Sequence, residues 1–331
     1  MTQPRPDLDP SASRTTPSRP GGLKNALAER RFAITTEIAT PISADPNTLA
    51  HKAQVLRGWV DAVNFTDSDG PQARMSSLGA AALAQREGVS PVMELACRNR
   101  NRVALHSELL AAGALNIPHV LLVTGDCPHG SDYRDAKPVF DIDSAELIAL
   151  ARSLRNDQVA DASGASPRWM IGTVEDRFAL PLSLRTERFA KKIAAGAEFA
   201  QTQCVFDIDV FAQWVMHLRD LGVPHRCAIL AAVAPIRSLR MLEYLRNETS
   251  GVNVPLKVEQ RLRSVPSDQI AGEGMRLCAE TIQQLTEIPG VAGVHVKAFG
   301  FEHDVPELLE RACQSPRNRD NVQPRGGQPP C

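Results

Sequence analysis

Apolar residues along this chain form short runs that alternate with stretches of helical spacing. A short apolar run bounded by turn residues is typical of a buried strand, and apolar residues recurring every three or four positions are typical of one face of a helix. The runs predict strands over 33–38, 60–65, 91–96, 119–124, 169–173, 199–205, 226–231 and 292–298. The helical spacing predicts helices near 46–57, 73–86, 102–113, 144–154, 184–195, 208–221, 236–246, 268–287 and 304–313.

Eight strands separated by helices indicate parallel pairing and, at this number, closure into an α/β barrel of the (β/α)8 or TIM type. A doubly wound open sheet is the alternative. The Gly-rich phosphate-binding fingerprint that would favour the open sheet is absent after the first strand. The sequence therefore predicts one (β/α)8 domain.

The two ends of the chain differ in composition from the rest. Residues 1–22 are rich in Pro, Ser, Thr and Arg and lack apolar periodicity, and 315–331 resemble them, so both are expected to be disordered tails around a barrel spanning 23–314. Two connections, 125–143 and 247–267, are long for a compact domain. The first follows a strand that ends in Gly-Asp, and we expect it to serve an active site.

Composition narrows the class of protein. The chain has 331 residues, of which 43% are hydrophobic, and this is enough for one large core. Its formal net charge is −1. The sequence has no long basic stripe of the kind that binds nucleic acid. No apolar run approaches the ~18 residues of a membrane span, and the first residues lack the apolar core of a signal peptide. The seven cysteines form no spaced framework. We expect reduced thiols in a cytoplasmic protein, with no membrane or nucleic-acid partner.

Two carboxylates emerge from predicted strands near their carboxyl ends, where barrel active sites lie. Glu37 ends the first strand, where low dielectric is expected to raise its pKa and suit it to general acid catalysis. Asp126 follows Leu121 to Gly125 in the same way. Each also has an ordinary interpretation: a solvated strand edge for Glu37, and helix capping or loop hydrogen bonding for Asp126.

Amides and cations supply further candidates. Gln203 lies two positions from Gln201 on the sixth strand, so both amides are expected on one face, either facing a heterocycle or making an ordinary buried hydrogen bond. Lys191 and Lys192 end a helix and are either solvated or near a phosphate. The turn from Cys97 to Arg102 is either a phosphate or polyglutamate site or a solvated turn with Asn101 as N-cap. His and Cys spacing predicts no metal site.

Several of these segments occur together in the order found in one enzyme family. The segments are Thr36-Glu37, Asn64 to Asp67, Thr124 to Asp126, Ala190 to Ala197, and Gln201 to Asp207. With Cys97 to Arg102, Ala136 to Ser144 and Gly293 to Val296, the chain from about Phe32 to Ala312 resembles methylenetetrahydrofolate reductases, most closely a divergent bacterial and archaeal branch.

The resemblance implies a barrel that holds a flavin, FAD or FMN, at its carboxyl end. The flavin would relay hydride between NAD(P)H and the one-carbon group of tetrahydrofolate. Glu37 would protonate the folate, Asp126 would stabilise a cationic iminium, and Gln203 with Phe206 would bind the pterin. The positions matching flavin contacts are Thr66, Glu94, Thr124, Gly125 and Lys192.

Some positions depart from the family pattern. Thr124 stands where the best-known members have Arg, and Glu94 stands near a position held by His or Gln. Glu175 and Asp176 add negative charge after the fifth strand, where a diphosphate would pass. These departures predict weak or substoichiometric flavin, and they make folate chemistry a firmer expectation than flavin identity.

The direction of reaction is open between methyl-group supply for methionine and oxidation of a methyl group from a one-carbon donor. A folate-binding methyltransferase or accessory subunit without hydride chemistry is the competing class. A barrel lyase or aldolase would need a strand-end lysine, for which Lys297 is the candidate. A homo-oligomer is possible, and the nicotinamide preference is open because no Rossmann acidic residue or basic pair exists to read.

Overall fold

Eight parallel strands close into a barrel in the structure, a computed structural model that describes residues 22–67, 73–126, 136–156, 166–175, 182–247, 249 and 252–317. Each strand pairs with the next in chain order, and the last pairs with the first, so the (β/α)8 prediction is confirmed. The strands are β1 (Ala33–Ile38), β2 (Ala62–Phe65), β3 (Pro91–Ala96), β4 (His119–Val123), β5 (Met170–Glu175), β6 (Phe199–Cys204), β7 (Ala228–Val233) and β8 (Val291–Val296).

Helices alternate with the strands and cover the outside of the barrel. In the described ranges they are α1 (Leu23–Ala28), α2 (Pro46–Leu56), α3 (Ser77–Arg86), α4 (Arg102–Ala114), α5 (Ser144–Asn156), α6 (Leu182–Ala195), α7 (Ile208–Asp220), α8 (Leu239–Asn247), α9 (Leu256–Arg263), α10 (Ile270–Thr286) and α11 (Val305–Arg311).

Alternation along each strand sends one set of side chains to the helices and the other into the barrel. On β1, Ile34 and Ile38 join the large cluster beneath the helices, whereas Ala33 joins a smaller cluster inside the barrel. Phe199 is fully buried in that cluster. A Cβ on Gly172 would lie 2.2 Å from its ring, which is why the neighbouring strand carries glycine there.

The amino end of the barrel is closed by α1, which the sequence reading did not predict. Leu23 and Ala26 pack against the interior cluster, and the Lys24 backbone N–H donates to Nε2 of His119 at 3.3 Å. A helix of six residues without a capping side chain gives almost no periodic signal. A second unpredicted helix, α9, lies within the long connection 247–267.

A buried carboxylate fixes the chain's described end to the same face. The Asp61 side chain is fully buried, accepts from the Ile34 N–H at 2.8 Å, and lies 3.3 Å from guanidinium nitrogens of both Arg31 and Arg317. Arg317 also donates to the Phe32 carbonyl at 2.8 Å. The expected boundary at 314 therefore leaves out the ordered contacts of Arg317, while 1–21 and 318–331 lie outside the described residues.

Candidate active site

A cavity of about 470 Å³ opens at the carboxyl ends of β1 and β2. Glu37 of β1 and Thr66, which follows β2, line it together with Lys52, Arg74 and Phe299. Carboxyl-end positions are where barrel enzymes place their reacting groups. The cavity thus brings together the expected general acid and one expected cofactor contact.

The Glu37 carboxylate faces a histidine across the junction between β1 and β8. Its Oε2 lies 3.5 Å from Nε2 of His295, and both side chains are largely buried. Burial acts to raise the pKa of Glu37, but the His295 hydrogen bond and the positive charge of Lys297 outweigh it and lower that pKa. The expectation of a raised pKa is wrong, because closure of the barrel supplies partners that strand position alone does not show.

Burial also lowers the pKa of His295, against the opposing effect of Glu37. Because the pKa values of Glu37 and His295 are both lowered, the pair at neutral pH is a Glu37 carboxylate beside a neutral imidazole. The other ring nitrogen, Nδ1, lies 3.0 Å from Oγ1 of Thr35.

The hydrogen bonds continue from Thr35 across the barrel interior. Nε2 of Gln201 lies 3.4 Å from Oγ1 of Thr35, and the Gln201 and Asn64 amides bond to each other at 2.8 and 3.1 Å. Nδ2 of Asn64 then donates to Oε1 of Glu94 at 2.9 Å. Sequence reasoning named the two terminal carboxylates and expected the Gln201 amide to make a buried hydrogen bond or face a ligand, but it did not identify Thr35 and His295 as the links to Glu37. Polar residues at inward positions of otherwise apolar strands were the available signal.

The two expected pterin contacts lie on β6 and just after it. Gln203 stands at an irregularity of β6, where the register with β7 shifts between Gln201 and Cys204. Its carbonyl accepts from the Thr202 hydroxyl at 2.9 Å. Phe206 is partly buried against apolar residues that include Ile236. Neither contributes to the described lining of the Glu37 cavity.

At the end of β4, three consecutive candidates take different positions. Oγ1 of Thr124 accepts from the Ser144 N–H at 3.2 Å, at the start of α5. Gly125 has φ +86°, a backbone conformation that favours glycine. Asp126 is exposed, and its carbonyl accepts from Arg98 at 3.3 Å. The loop beyond it, 127–135, lies outside the described residues.

The basic turn after β3 makes bonds within the protein. Arg100 holds Asp67 with two hydrogen bonds of 2.6 and 3.2 Å, and Arg102 bonds to Asp141 at 2.9 Å. Asn101 caps α4 by accepting from the Ala104 N–H at 3.0 Å, as one of the two interpretations of this turn expected. These contacts favour the structural interpretation of the turn over an anion site.

Lys192 is likewise engaged. Its Nζ donates to the Val174 carbonyl at 2.6 Å and lies 3.6 Å from Oε2 of Glu175. Burial lowers the pKa of Lys192, while Glu175 acts against that effect. The buried negative charge of Glu175 is thus compensated by the lysine expected to bind a flavin phosphate, and Asp176 lies outside the described residues.

The site fits a flavin only in part. Oγ1 of Thr66 is buried and has no hydrogen-bond partner among the described residues, so a polar ligand atom would satisfy it. Lys192, in contrast, is directed at Val174 and Glu175 rather than at the cavity. The residues suit a heterocycle edge at Thr66 but do not present Lys192 to a diphosphate.

The described ranges lack two further kinds of feature. No three His, Cys, Asp or Glu side chains there group as metal ligands. None of the helices there combines the length and the hydropathy needed to cross a bilayer.

A buried carboxylate–imidazole pair beside a cavity at the carboxyl end of a closed barrel defines a (β/α)8 protein with an enzyme-like site. The family model for methylenetetrahydrofolate reductase matches residues 22–313. The chain belongs to this family, as the resemblance of its motifs indicated.

Curated relatives share the family at low identity. Methylenetetrahydrofolate reductase 1 of Schizosaccharomyces pombe is 24% identical over 225 residues, which are 67% of this chain and 36% of the relative. The Caenorhabditis elegans protein named "probable methylenetetrahydrofolate reductase (NADPH)" is 22% identical over 299 residues, which are 87% of this chain and 43% of the relative. The matched part therefore spans about two fifths of the length of these relatives.

Solved structures support the fold. A Clostridium thermocellum protein described as binding two copies of 5-methyl-5,6,7,8-tetrahydrofolic acid aligns with a TM-score of 0.57 at 13% identity, covering 86% of this chain and 96% of that protein. DmoA from Hyphomicrobium sulfonivorans aligns with a TM-score of 0.53 at 12% identity, covering 88% and 93%.

Proposed function

We propose that this protein transfers hydride between NAD(P)H and tetrahydrofolate, interconverting the 5,10-methylene and 5-methyl forms. The observation that carries the proposal is Glu37, which lines the carboxyl-end cavity of a chain belonging to the reductase family. The Clostridium thermocellum neighbour, described as binding methyltetrahydrofolate, supports the same ligand class.

In this proposal Glu37 exchanges a proton with a folate nitrogen when the five-membered ring opens or closes. Its lowered pKa makes the carboxylate the resting form, which is ready to accept a proton. Ring closure during oxidation of the methyl group releases such a proton, whereas reduction requires Glu37 to be protonated first. The same carboxylate serves both directions, and in the oxidation of the 5-methyl form it acts as the proton acceptor.

Asp126, Gln203 and Phe206 stay in the proposal as folate contacts. Asp126 would stabilise the cationic iminium through its charge, and its place at the end of β4 is suitable for this role. Five described cysteines are free thiols, which is consistent with the cytoplasmic location we propose.

A bound flavin would carry hydride between the nicotinamide and folate. Thr66 supports an interaction with a flavin ring, whereas the contacts of Lys192 argue against tight binding of its phosphates. We therefore propose substoichiometric FAD or FMN, with activity that rises when flavin is added.

The decisive experiment measures hydride transfer with 5-methyltetrahydrofolate and NAD(P)+ on purified protein, with no flavin, with FAD and with FMN. Glu37→Gln keeps the shape of the side chain but removes its proton transfer, so turnover is expected to fall by roughly 10²–10⁴-fold. Folate binding, measured by calorimetry, is expected to survive.

The outcomes of this experiment distinguish the proposed mechanism from its alternatives. Wild-type turnover in Glu37→Gln would contradict the role of that residue. Full activity with no flavin present would overturn the flavin proposal and favour direct transfer from nicotinamide. Folate binding without any hydride transfer would favour the methyltransferase or accessory class instead.

A further inference from the structure

The hydrogen bonds that lead from Glu94 to Glu37 form a continuous chain through the barrel interior. The proposed reaction uses only the Glu37 end. The chain passes through four buried polar side chains from four strands, Asn64, Gln201, Thr35 and His295. Buried polar groups of this kind stabilise one arrangement when each donor meets an acceptor.

The direction of each bond follows from the chemistry of the ends. At the Glu94 end, the Asn64 amide points its Nδ2 at the carboxyl group and donates to Oε1 at 2.9 Å. Oδ1 of Asn64 then accepts from Nε2 of Gln201 at 3.1 Å. The second proton on that nitrogen faces Oγ1 of Thr35 at 3.4 Å.

Thr35 has one hydroxyl proton and two acceptors within reach. Nδ1 of His295 lies 3.0 Å from its Oγ1, and the Val294 carbonyl lies 3.3 Å away. Donation to the nearer atom makes Nδ1 an acceptor. A neutral imidazole then carries its proton on Nε2, the nitrogen that faces Glu37 at 3.5 Å.

We propose that His295 is the positioning residue of Glu37, holding its carboxylate through Nε2–H, and that the Thr35 hydroxyl selects the tautomer that allows this. The inference rests on the proposed function, because it assigns to Glu37 the proton exchanged with folate. His295 acts through Glu37 and has no assigned contact with substrate.

Other ionisable groups also surround the pair. Lys297 on the β8 side lowers the pKa of Glu37 by its charge. Loss of the Nε2–H donor removes a bond to the charged form, so the pKa of Glu37 should rise with Lys297 still present. The remaining described groups on neighbouring elements are Cys204 on β6, Glu94 on β3, and Lys52 and Arg74 in the cavity lining.

Adjacent threonines of β1 provide a matched pair of variants. Both are fully buried and both hydroxyls lie within 3.3 Å of a carbonyl of β8, but Thr36 donates to Val296 at 2.8 Å from the helix-facing side of the strand. Thr35→Val should move the acidic limb of the pH profile for kcat/KM upward by about one unit. Thr36→Val should leave it in place.

Two substitutions of His295 test the donor itself. His295→Leu should shift the same limb upward and lower kcat by roughly 10–100-fold. His295→Gln offers an amide N–H at the distance of Nε2 and should recover part of both losses. Equal profiles for Thr35→Val and Thr36→Val, or no difference between the Leu and Gln variants, would overturn the proposal.

Nitrogen NMR of ¹⁵N-histidine-labelled protein tests the tautomer without turnover. His119 is the internal reference, since its Nδ1 lies 3.1 Å from the Pro91 carbonyl and its Nε2 accepts from the Lys24 N–H. His119 should carry its proton on Nδ1 and His295 on Nε2, and Thr35→Val should disturb only His295. A His295 signal with the proton on Nδ1 would overturn the inference. A protein without folate turnover but with these signals would leave the positioning intact and refute the proposed function alone.

Discussion

Phe299 has a backbone conformation that aromatic residues rarely adopt. Its φ is +48°, its side chain is 41% exposed, and it lines the cavity with Glu37. Such a conformation costs on the order of 1–3 kcal/mol and persists where the surroundings hold it. The strain is therefore consistent with a ring fixed at the cavity wall to contact an aromatic ligand.

Phe299→Asn should separate binding from stability. Asparagine tolerates a positive φ, so the melting temperature should stay equal or rise. The lost aromatic contact should raise KM for 5-methyltetrahydrofolate by about 3–10-fold. Steady-state kinetics and thermal unfolding measure the two effects.

Phe301 supplies the control for this variant, because it is 39% exposed and its ring packs 4.1 Å from the Arg237 guanidinium. Phe301→Leu should leave KM within error of the wild type. An unchanged KM in Phe299→Asn would show that the ring does not contact the substrate.

At the residue scale, the sequence predicted candidate reactive residues better than it predicted the side chains that contact them. Glu37 could be predicted because a carboxylate near the end of an apolar strand stands out. Its pKa direction could not, because His295 approaches only after β8 closes against β1, and the Thr35–His295 contact spans 260 positions. Lys192 shows the same limit, since its partner Glu175 belongs to another element.

Among the elements, α1 depends on one buried imidazole. Burial lowers the pKa of His119 to about 4, and both ring nitrogens are satisfied in the neutral form. The unfolded chain, with a pKa near 6.5, binds the proton more readily. The contribution of neutral His119 to the free energy of unfolding is therefore complete above about pH 6.5 and is lost as the pH falls towards 4.

This difference predicts a loss of about 3 kcal/mol from His119 alone between those limits. Urea unfolding at pH 7.5 and pH 5, compared between the wild type and His119→Gln, measures the part of this loss that falls above pH 5, about 2 kcal/mol. The variant should be less stable at pH 7.5 and should show a flatter pH dependence. His51→Gln, at an exposed histidine of α2, should keep the wild-type slope, and equal slopes in all three proteins would refute the role of His119.

Strand and helix positions were predictable where periodicity ran over several residues. All eight predicted strands overlap observed ones, but β7 lies two residues later than predicted because its apolar run continues to Ala234 before Pro235. The short helices α1 and α9 were missed, since their places depend on packing against the barrel and its neighbours. Packing against the rest of the fold, rather than the local sequence pattern, determines whether such short helices form.

For the whole molecule, the ion pair of Arg317 with Asp61 anchors the last described residue to the amino end of the barrel. A chain of 22–314 loses this contact and the bond to the Phe32 carbonyl, whereas a chain of 22–317 keeps both. We expect the shorter chain to be less stable by about 1–2 kcal/mol, or roughly 2–6 °C in melting temperature. Calorimetry of the two chains, with Arg317→Gln in the longer one, measures this, and identical melting would show that the contact contributes nothing.

The positions of α1 and Arg317 have a practical consequence for attaching this protein to something else. Gly22 precedes the helix that closes the amino end of the barrel, and Arg317 lies on Asp61 immediately before β2, on the same face. A label, surface tether or fused fluorescent protein joined near either residue would start on the side opposite the Glu37 cavity. Immobilised protein should therefore keep that cavity open to solution, whichever of the two positions carries the tether.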